Sequence, residues 1–571
     1  MAIKRLSLGL DVSTQSISAV LVDVDTRDIV YRYSMDFQKD ARLNKYGIQG
    51  QNYILPPKNE GEANQPAKMF LAALEALFTD MKLAGQLMRN IMVCNTSTQQ
   101  HSHAYLSRHA RPILGRLNIP GNTKSSLVSI SEGCFSLNIV PTWMTSDTVK
   151  QADSIRTFVG GKENMIQLSG SNSPARFTGA VIRKIAEQFP SAYEETEYIH
   201  LLSSLIPAVL TGNSRVPLDF GNACGMSMMD YAGKDWSVKL IKAVGDGLPG
   251  GESTLRNKLL PIVSPLTIDG RIATFFIERF GFSPDCRILA GSGDNPQSKV
   301  LVSGNLLSLG SSLVNMASTD GKHLDMSGAS NAMYDGLGRP FIFSCRTNGA
   351  LVWDHLRALH GLKKEEYEPA EKALRETPMG QFMVFWQPRD ESFPVSGNHE
   401  LIRTTHSAPE LGADYSGLIE TTLGLVYLYS KTFAKETAEP LYVTGGANKS
   451  PEILRRVAAI WNKPVVRIEE AGAALGAAAA GVYAFLKTTD KEVKIEEINK
   501  KLLKKDDLIQ PLAADVNTYH SSGGYLEKLS VAAEKIIKEH TCLLKLIVLR
   551  FTSFSSYKGS RNNSDGKFDT A

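Results

Sequence analysis

A strand, a polar turn and a returning strand occur in both halves of this chain, and that layout limits the folds open to it. Leu6, Leu8 and Leu10 alternate with Ser7, Gly9 and Asp11, the period-two pattern of a strand with one buried face. Ser13-Thr14-Gln15 reads as the turn, Ile17 to Val24 as the returning strand and Ile29 to Tyr33 as a third, so the chain opens on a β-meander. In the second half, Leu306–Leu309, Gly310-Ser311-Ser312 and Leu313–Ala317 predict another strand, turn and strand. The shared string is short, LSLGLDVSTQ against LSLGSS, so accidental likeness stands beside duplication as a reading. Two such hairpins suit a clamshell whose lobes each offer a phosphate-binding turn.

At 571 residues the chain exceeds what one hydrophobic core serves, so two large domains are expected. Helical periodicity runs from Ala67 to about Ala84, and Ile91–Cys94 reads as a strand. Pro261 to Arg271 has the mixed Pro, Gly and Asp texture of a connection, and Ile272–Phe280 looks helical. The expected domains are therefore 1–275 and 276–540, with a hinge near 275 and a polar, disordered tail over 541–571. Lys491–Asp507 reads as a solvated helix face, and Ala471–Gly481 as a close-packed helix of small residues.

Composition excludes several classes of function. The formal charge of +4 is small for this length and no Lys/Arg stripe stands out, so nucleic acid is not an expected partner. The six cysteines are spread singly with no metal-ligand spacing, which points to reduced thiols and a cytoplasmic setting. No apolar run approaches the ~20 residues of a membrane span. Leu543–Phe551 is too short and contains Lys545 and Arg550.

Four segments have residue types that could carry chemistry. In Gly9–Gln15, a carboxylate at a strand end beside a small-residue turn suits hydrated Mg²⁺ and phosphate oxygens, although Asp and Ser favour plain turns as well. In Ala290–Pro296, a strand leads into glycines around Asp294, which suits a base taking a proton from a hydroxyl; capping of the helix that Pro296 opens is the alternative. In Leu441–Ser450, a strand meets Gly445-Gly446, where a flat ligand such as adenosine could lie on the main chain, or where the connection is simply tight. It lacks the Gly-Lys-Ser/Thr ending of a Walker A loop. Thr98–His103 is rich in amides and imidazoles that suit a polyol, as they would suit an exposed loop.

The order of these segments resembles the FGGY carbohydrate kinases, most closely their xylulokinase branch, from about Leu6 to about Leu486. GLDVSTQ and LLSLGSS are similar to the two phosphate motifs, GSGDNPQS to the catalytic block and YVTGGANKS to the adenosine motif. TQQHSH, VPTWMTSDT, GSNSPARFTG and LDFGNACGMSMMD resemble the segments around the sugar. The resemblance implies an α/β fold of two actin-like (ribonuclease H-like) domains, each a mixed sheet flanked by helices, with a cleft between them. It further implies an ATP- and Mg²⁺-dependent kinase that phosphorylates the terminal hydroxyl of a ketopentose, first of all D-xylulose to D-xylulose 5-phosphate. Another pentulose or polyol such as ribulose, or a non-catalytic sugar- or nucleotide-binding regulator, is the alternative.

Residue by residue, the resemblance places Asp294 as base and His101, Arg176, Asp294 and Asn295 on the sugar. Thr14, Gln15, Ser311, Ser312, Gly445, Gly446 and Ala447 fall on the nucleotide, and Asp11 near Mg²⁺. Small-molecule sugar and ATP are the expected partners, and relatives of this kind commonly form homodimers. Three positions depart from the pattern: Thr98 and Ser102 flank Gln-Gln-His, and Thr145 stands where an Asp usually follows Trp-Met, the nearest acid being Asp147.

Overall fold

The alternation at the N-terminus builds the meander it predicts. In the computed structural model, which describes residues 4–536 apart from 87, 395, 469–471, 489–491, 504, 505 and 507, the strands Leu6–Val12, Ser16–Asp23 and Ile29–Asp36 pair antiparallel in chain order. The expected tail lies outside the described residues. Leu8, Leu10, Ile17 and Leu21 enter a core on one side of this sheet, while Val20 and Val22 enter another on the opposite side. Both faces are therefore covered, as a sheet with a parallel section requires. That section begins where Ile91–Thr98 joins Leu6–Val12 in parallel.

A second sheet repeats this plan. Leu306–Leu309, Leu313–Ser318 and Pro340–Arg346 form an antiparallel meander, and Leu441–Thr444 lies parallel to the first of them. In both sheets, then, the first strand sits between its hairpin partner and a later parallel strand. The chain is α/β, with two mixed sheets flanked by helices in a two-lobed, actin-like arrangement. Among the described residues no helix is long and apolar enough to cross a membrane.

The change between sheets comes later than residue 275. Thr274–Phe280 is a helix of the first lobe: Phe276, Phe280 and Phe282 surround Phe78 of the Ala67–Leu83 helix with ring centroids 5.9, 5.7 and 5.0 Å away. Burying each such ring contributes roughly 1.5–3 kcal/mol, so this is packed core and not a hinge. Arg287–Leu289 and Ser292–Gly293 then pair with Ile91–Thr98 in the first sheet. The turn carrying Asp294, expected in the second domain, thus belongs to the first lobe's sheet, and the second sheet starts at Leu306.

The small-residue segment forms the helix Ala473–Lys487, which packs from the second half of the chain onto the first sheet. Ser7 Oγ donates to the Ala478 carbonyl at 2.8 Å, and Asn95 Nδ2 to that of Ala477 at 3.1 Å. A Cβ on Gly9 would lie 2.0 Å from the Ala474 carbonyl oxygen, and one on Gly476 would lie 1.9 Å from that of Gln297. The run of Ala and Gly is the composition this approach demands.

Candidate active site

Strand register brings two acids to one end of the first sheet. Asp11 lies across from Ser97 on the parallel strand, and Ser292 lies across from that same Ser97 on its other side. Asp11 and the Ser292-Gly293-Asp294 turn are consequently held at the carboxyl ends of neighbouring parallel strands, where open α/β sheets bind ligands. Ser13 Oγ donates to Asp11 Oδ2 at 2.5 Å and Ser97 Oγ to Oδ1 at 2.8 Å. Burial nonetheless raises the Asp11 carboxyl above its usual range. Burial first, and the Asp11 charge second, push Asp294 up to about 7.

Asp294 does not cap its helix. The Asp294–Val300 helix starts at it, with Gly293 in the cap position and no side-chain capping bond. Asp294 Oδ1 instead accepts from the backbone N–H and the Nδ2 of Asn295, and Asn295 Nδ2 also donates to Gln100 Oε1 at 2.6 Å. Gln100, the middle residue of the amide-rich segment, therefore reaches the Asp294 turn through Asn295.

His101 has φ of 65° and stacks on Phe177 with ring centroids 4.5 Å apart. Burial, with Arg176 nearby, holds its pKa down to about 3, so the imidazole is neutral. Nδ1 lies 3.2 Å from the Gly225 carbonyl, an acceptor, so it carries the proton and Nε2 is left as an acceptor for a hydroxyl. Arg176 is lowered by burial and lies close enough to Cys345, in the second sheet, for their charges to interact. It makes no hydrogen bond or ion pair among the described residues, which leaves its donor fork available.

Thr14 is pinned by a ring that sequence reasoning missed. Its Oγ1 donates to Gln99 Oε1 at 3.0 Å, Gln99 Nε2 donates to Gln65 Oε1 at 2.7 Å, and Gln65 Nε2 returns to the Thr14 carbonyl at 2.8 Å. Trp143, 45% exposed, donates from Nε1 to Thr14 Oγ1 at 2.9 Å. The first polar turn is thereby tied to two of the polyol-type segments. Gln15 is exposed, and its Nε2 lies 3.4 Å from the Gln51 carbonyl. Thr145 is buried with its Oγ1 directed to the Ala63 carbonyl, and Asp147 is held by Lys184 at 2.5 Å. Asp147 Oδ1, by contrast, is buried with no partner among the described residues.

The second lobe holds a cavity of about 530 Å³ between its own two turns. Ser311, Gly446 and Ala447 line it, together with Trp353, Tyr415 and Lys449, which the motifs did not single out. Trp353 is buried, and its indole N–H has no partner among the described residues. Gly445 has φ of 92°, and a Cβ there would meet the Leu309 carbonyl carbon at 2.5 Å, so the two turns abut. Ser312 stands behind the cavity and donates to the Thr347 carbonyl at 2.9 Å.

Among the described residues no group of three or more His, Cys, Asp or Glu is arranged to hold a metal. Asp11 alone, at the strand end beside Ser13 and Ser97, suits a different kind of ion. Mg²⁺ keeps most of its waters and takes one or two carboxylates plus phosphate oxygens.

The model for the C-terminal domain of the FGGY family of carbohydrate kinases matches residues 305–485. The chain is 27% identical to a probable D-xylulose kinase A of Aspergillus flavus, over 95% of this chain and 98% of the relative. It is 26% identical to the xylulose kinase of Rattus norvegicus, over 82% and 86% of the two chains. Its fold matches a xylulose kinase from Rhodospirillum rubrum with a TM-score of 0.74 at 14% identity, over 93% of this chain and 99% of the other. A gluconate kinase from Lactobacillus acidophilus gives 0.74 at 16% identity, over 94% and 98%. Residues 305–485 thus match the C-terminal domain of the FGGY carbohydrate kinases, and most of the chain is similar to D-xylulose and xylulose kinases.

Proposed function

We propose that the protein is an ATP-dependent kinase that transfers the γ-phosphoryl group to the terminal hydroxyl of a ketopentose, D-xylulose first. One observation carries this reading: Asp11 and Asp294 lie at the same end of the first sheet, and burial pushes Asp294 up to about 7 there. A general base works best when its pKa lies close to the working pH. The carboxylate of Asp294 takes the hydroxyl proton as the new P–O bond forms, with Asn295 holding its Oδ1. His101 Nε2 accepts from the sugar and the Arg176 fork donates to it. Adenosine lies in the cavity against Gly446 and Ala447, beside Gly445. Thr14 and Gln15 from one turn, and Ser311 and Ser312 from the other, orient the phosphates. Mg²⁺, held near Asp11 through water, would neutralise charge on the phosphoryl oxygens.

Substrate identity rests on the D-xylulose kinases this chain resembles. Thr145 Oγ1 and Asp147 Oδ2 are engaged elsewhere, which favours including other pentuloses in the test. The test is ADP release by the purified protein with MgATP and a panel of D-xylulose, ribulose and related ketoses. Stimulation by D-xylulose above the others supports the reading. Sugar binding without stimulation by any of them contradicts it and favours a regulator of the same fold. The five described cysteines are all free, in keeping with a cytoplasmic setting.

A further inference from the structure

Behind the turn that carries Asp294, among the described residues, lie the buried Asp219 and the half-buried Asp269, whose carboxylate oxygens no cation balances. Asp219 ends the short strand Leu218–Asp219 and is fully buried. Its Oδ2 accepts from the Ser292 hydroxyl at 2.6 Å and from the Asn222 N–H at 3.0 Å, while Oδ1 has no partner. Asp269, on the strand Ile268–Arg271, has no partner for either carboxylate oxygen. Burying a carboxylate without a counter-ion is expensive, so the arrangement calls for a reason.

Capping alone does not supply one. Asp219 caps only the four-residue helical turn Phe220–Ala223, which a neutral Ser would do without the cost of a charge. What the carboxylate adds is its bond to Ser292, a short, charge-assisted one between two fully buried groups. The Asp294 turn needs such a tether. Its anchorage to the sheet is two residues long, Ser292 opposite Ser97 and Gly293 opposite Thr98. The fit around it is close: a Cβ on Gly221 would meet Ser292 Oγ at 2.9 Å, and one on Gly293 would meet Gln100 Cγ at 2.6 Å and Asn222 Oδ1 at 3.1 Å. Burial and the Asp219 charge push Asp269 up to about 8, whereas Asp219 lies at about 7. Burial thus raises both acids, and Asp219 Oδ2 is the atom that accepts from Ser292.

We infer that Asp219 is a positioning residue for phosphoryl transfer, fixing the turn that carries Asp294 by way of the Ser292 hydroxyl. The inference rests on the kinase reading above. A base displaced by about 1 Å can lose on the order of 100-fold in rate while substrate binding persists.

The test compares wild type, Ser292→Ala, Asp219→Ala and Asp219→Asn in kcat, in KM for D-xylulose and ATP, and in amide hydrogen exchange across the Asp294 turn. Ser292→Ala is expected to lower kcat about 10- to 100-fold, with both KM values within about threefold, and to speed exchange at Gly293–Asn295. Asp219→Asn, whose amide oxygen can accept both bonds, is expected to restore most of the rate that Asp219→Ala loses. Wild-type kcat and exchange in Ser292→Ala would overturn the inference, as would Asp219→Asn losing as much as Asp219→Ala. If Asp219→Ala does not fold, the Ser292→Ala comparison decides. Should the wild type act on no ketose, the kinase reading fails, and the exchange data alone then decide whether Asp219 and Ser292 fix the turn.

Discussion

Asn295 donates to Oδ1 of Asp294 twice, from its backbone N–H at 2.8 Å and from its side-chain amide at 3.1 Å. A carboxylate held this way keeps one orientation at the end of its strand, and the residue holding it is itself fixed by Gln100. The same acid is half-buried beside Asp11, which disfavours its charged form. Orientation and basicity are thus set by separate neighbours.

If Asp294 is the base, it works only when ionised, and activity should rise with pH. Its pKa of about 7 places the midpoint of the kcat/KM profile near neutrality, with a plateau above it and a tenfold fall per pH unit below. A profile over pH 5 to 9 with saturating MgATP checks this. A flat profile across neutrality would contradict the assignment.

Gln65 closes the ring around Thr14 and also donates to the Tyr53 carbonyl at 2.7 Å. Gln65→Leu would strand buried polar groups at about 1–3 kcal/mol each. Denaturant unfolding should show a loss of that order, and ATP hydrolysis without sugar should change relative to the coupled rate, because Thr14 is no longer held.

Gly9→Ala should be far worse than an ordinary surface change. The added Cβ meets backbone of the Ala473–Lys487 helix at 2.0 Å, and backbone cannot turn aside. Overpacking of this kind costs roughly 1–3 kcal/mol and shifts the helix that joins the two halves. Thermal unfolding measures the first effect and kcat the second.

Gly446→Ala offers the opposite case. No atom of the described residues lies within 4 Å of a Cβ there, so stability should be unchanged. If adenosine lies on this turn, the methyl instead takes space from the ligand, and KM for ATP should rise about tenfold. Unchanged KM with unchanged stability would move the nucleotide elsewhere.

Much of this was legible from residue order. Alternation at Leu6–Asp11 and at Leu306–Leu309 predicts both hairpins, since a half-buried strand has to alternate. The boundary near 275 was misread because Pro and Gly texture marks a turn without saying which core the next helix joins. Phe276 and Phe280 join Phe78, nearly two hundred residues earlier in the chain. For the same reason Asp294 was assigned to the wrong lobe: a two-residue strand at Ser292–Gly293 leaves no periodic trace. Gln65, Trp353 and Asp219 were invisible as parts of a site. Nothing in their local sequence distinguishes an amide that closes a ring, an indole that lines a cavity, or an acid tethering a turn.

The most direct test of the central claim is the initial rate of D-xylulose-dependent ADP release in wild type and Asp294→Asn, measured side by side with nucleotide affinity. General-base catalysis contributes about 10²- to 10⁴-fold, so the variant should lose at least a hundredfold of the sugar-stimulated rate while binding ATP as wild type does. A variant that releases ADP at the wild-type rate would show that Asp294 is not the base.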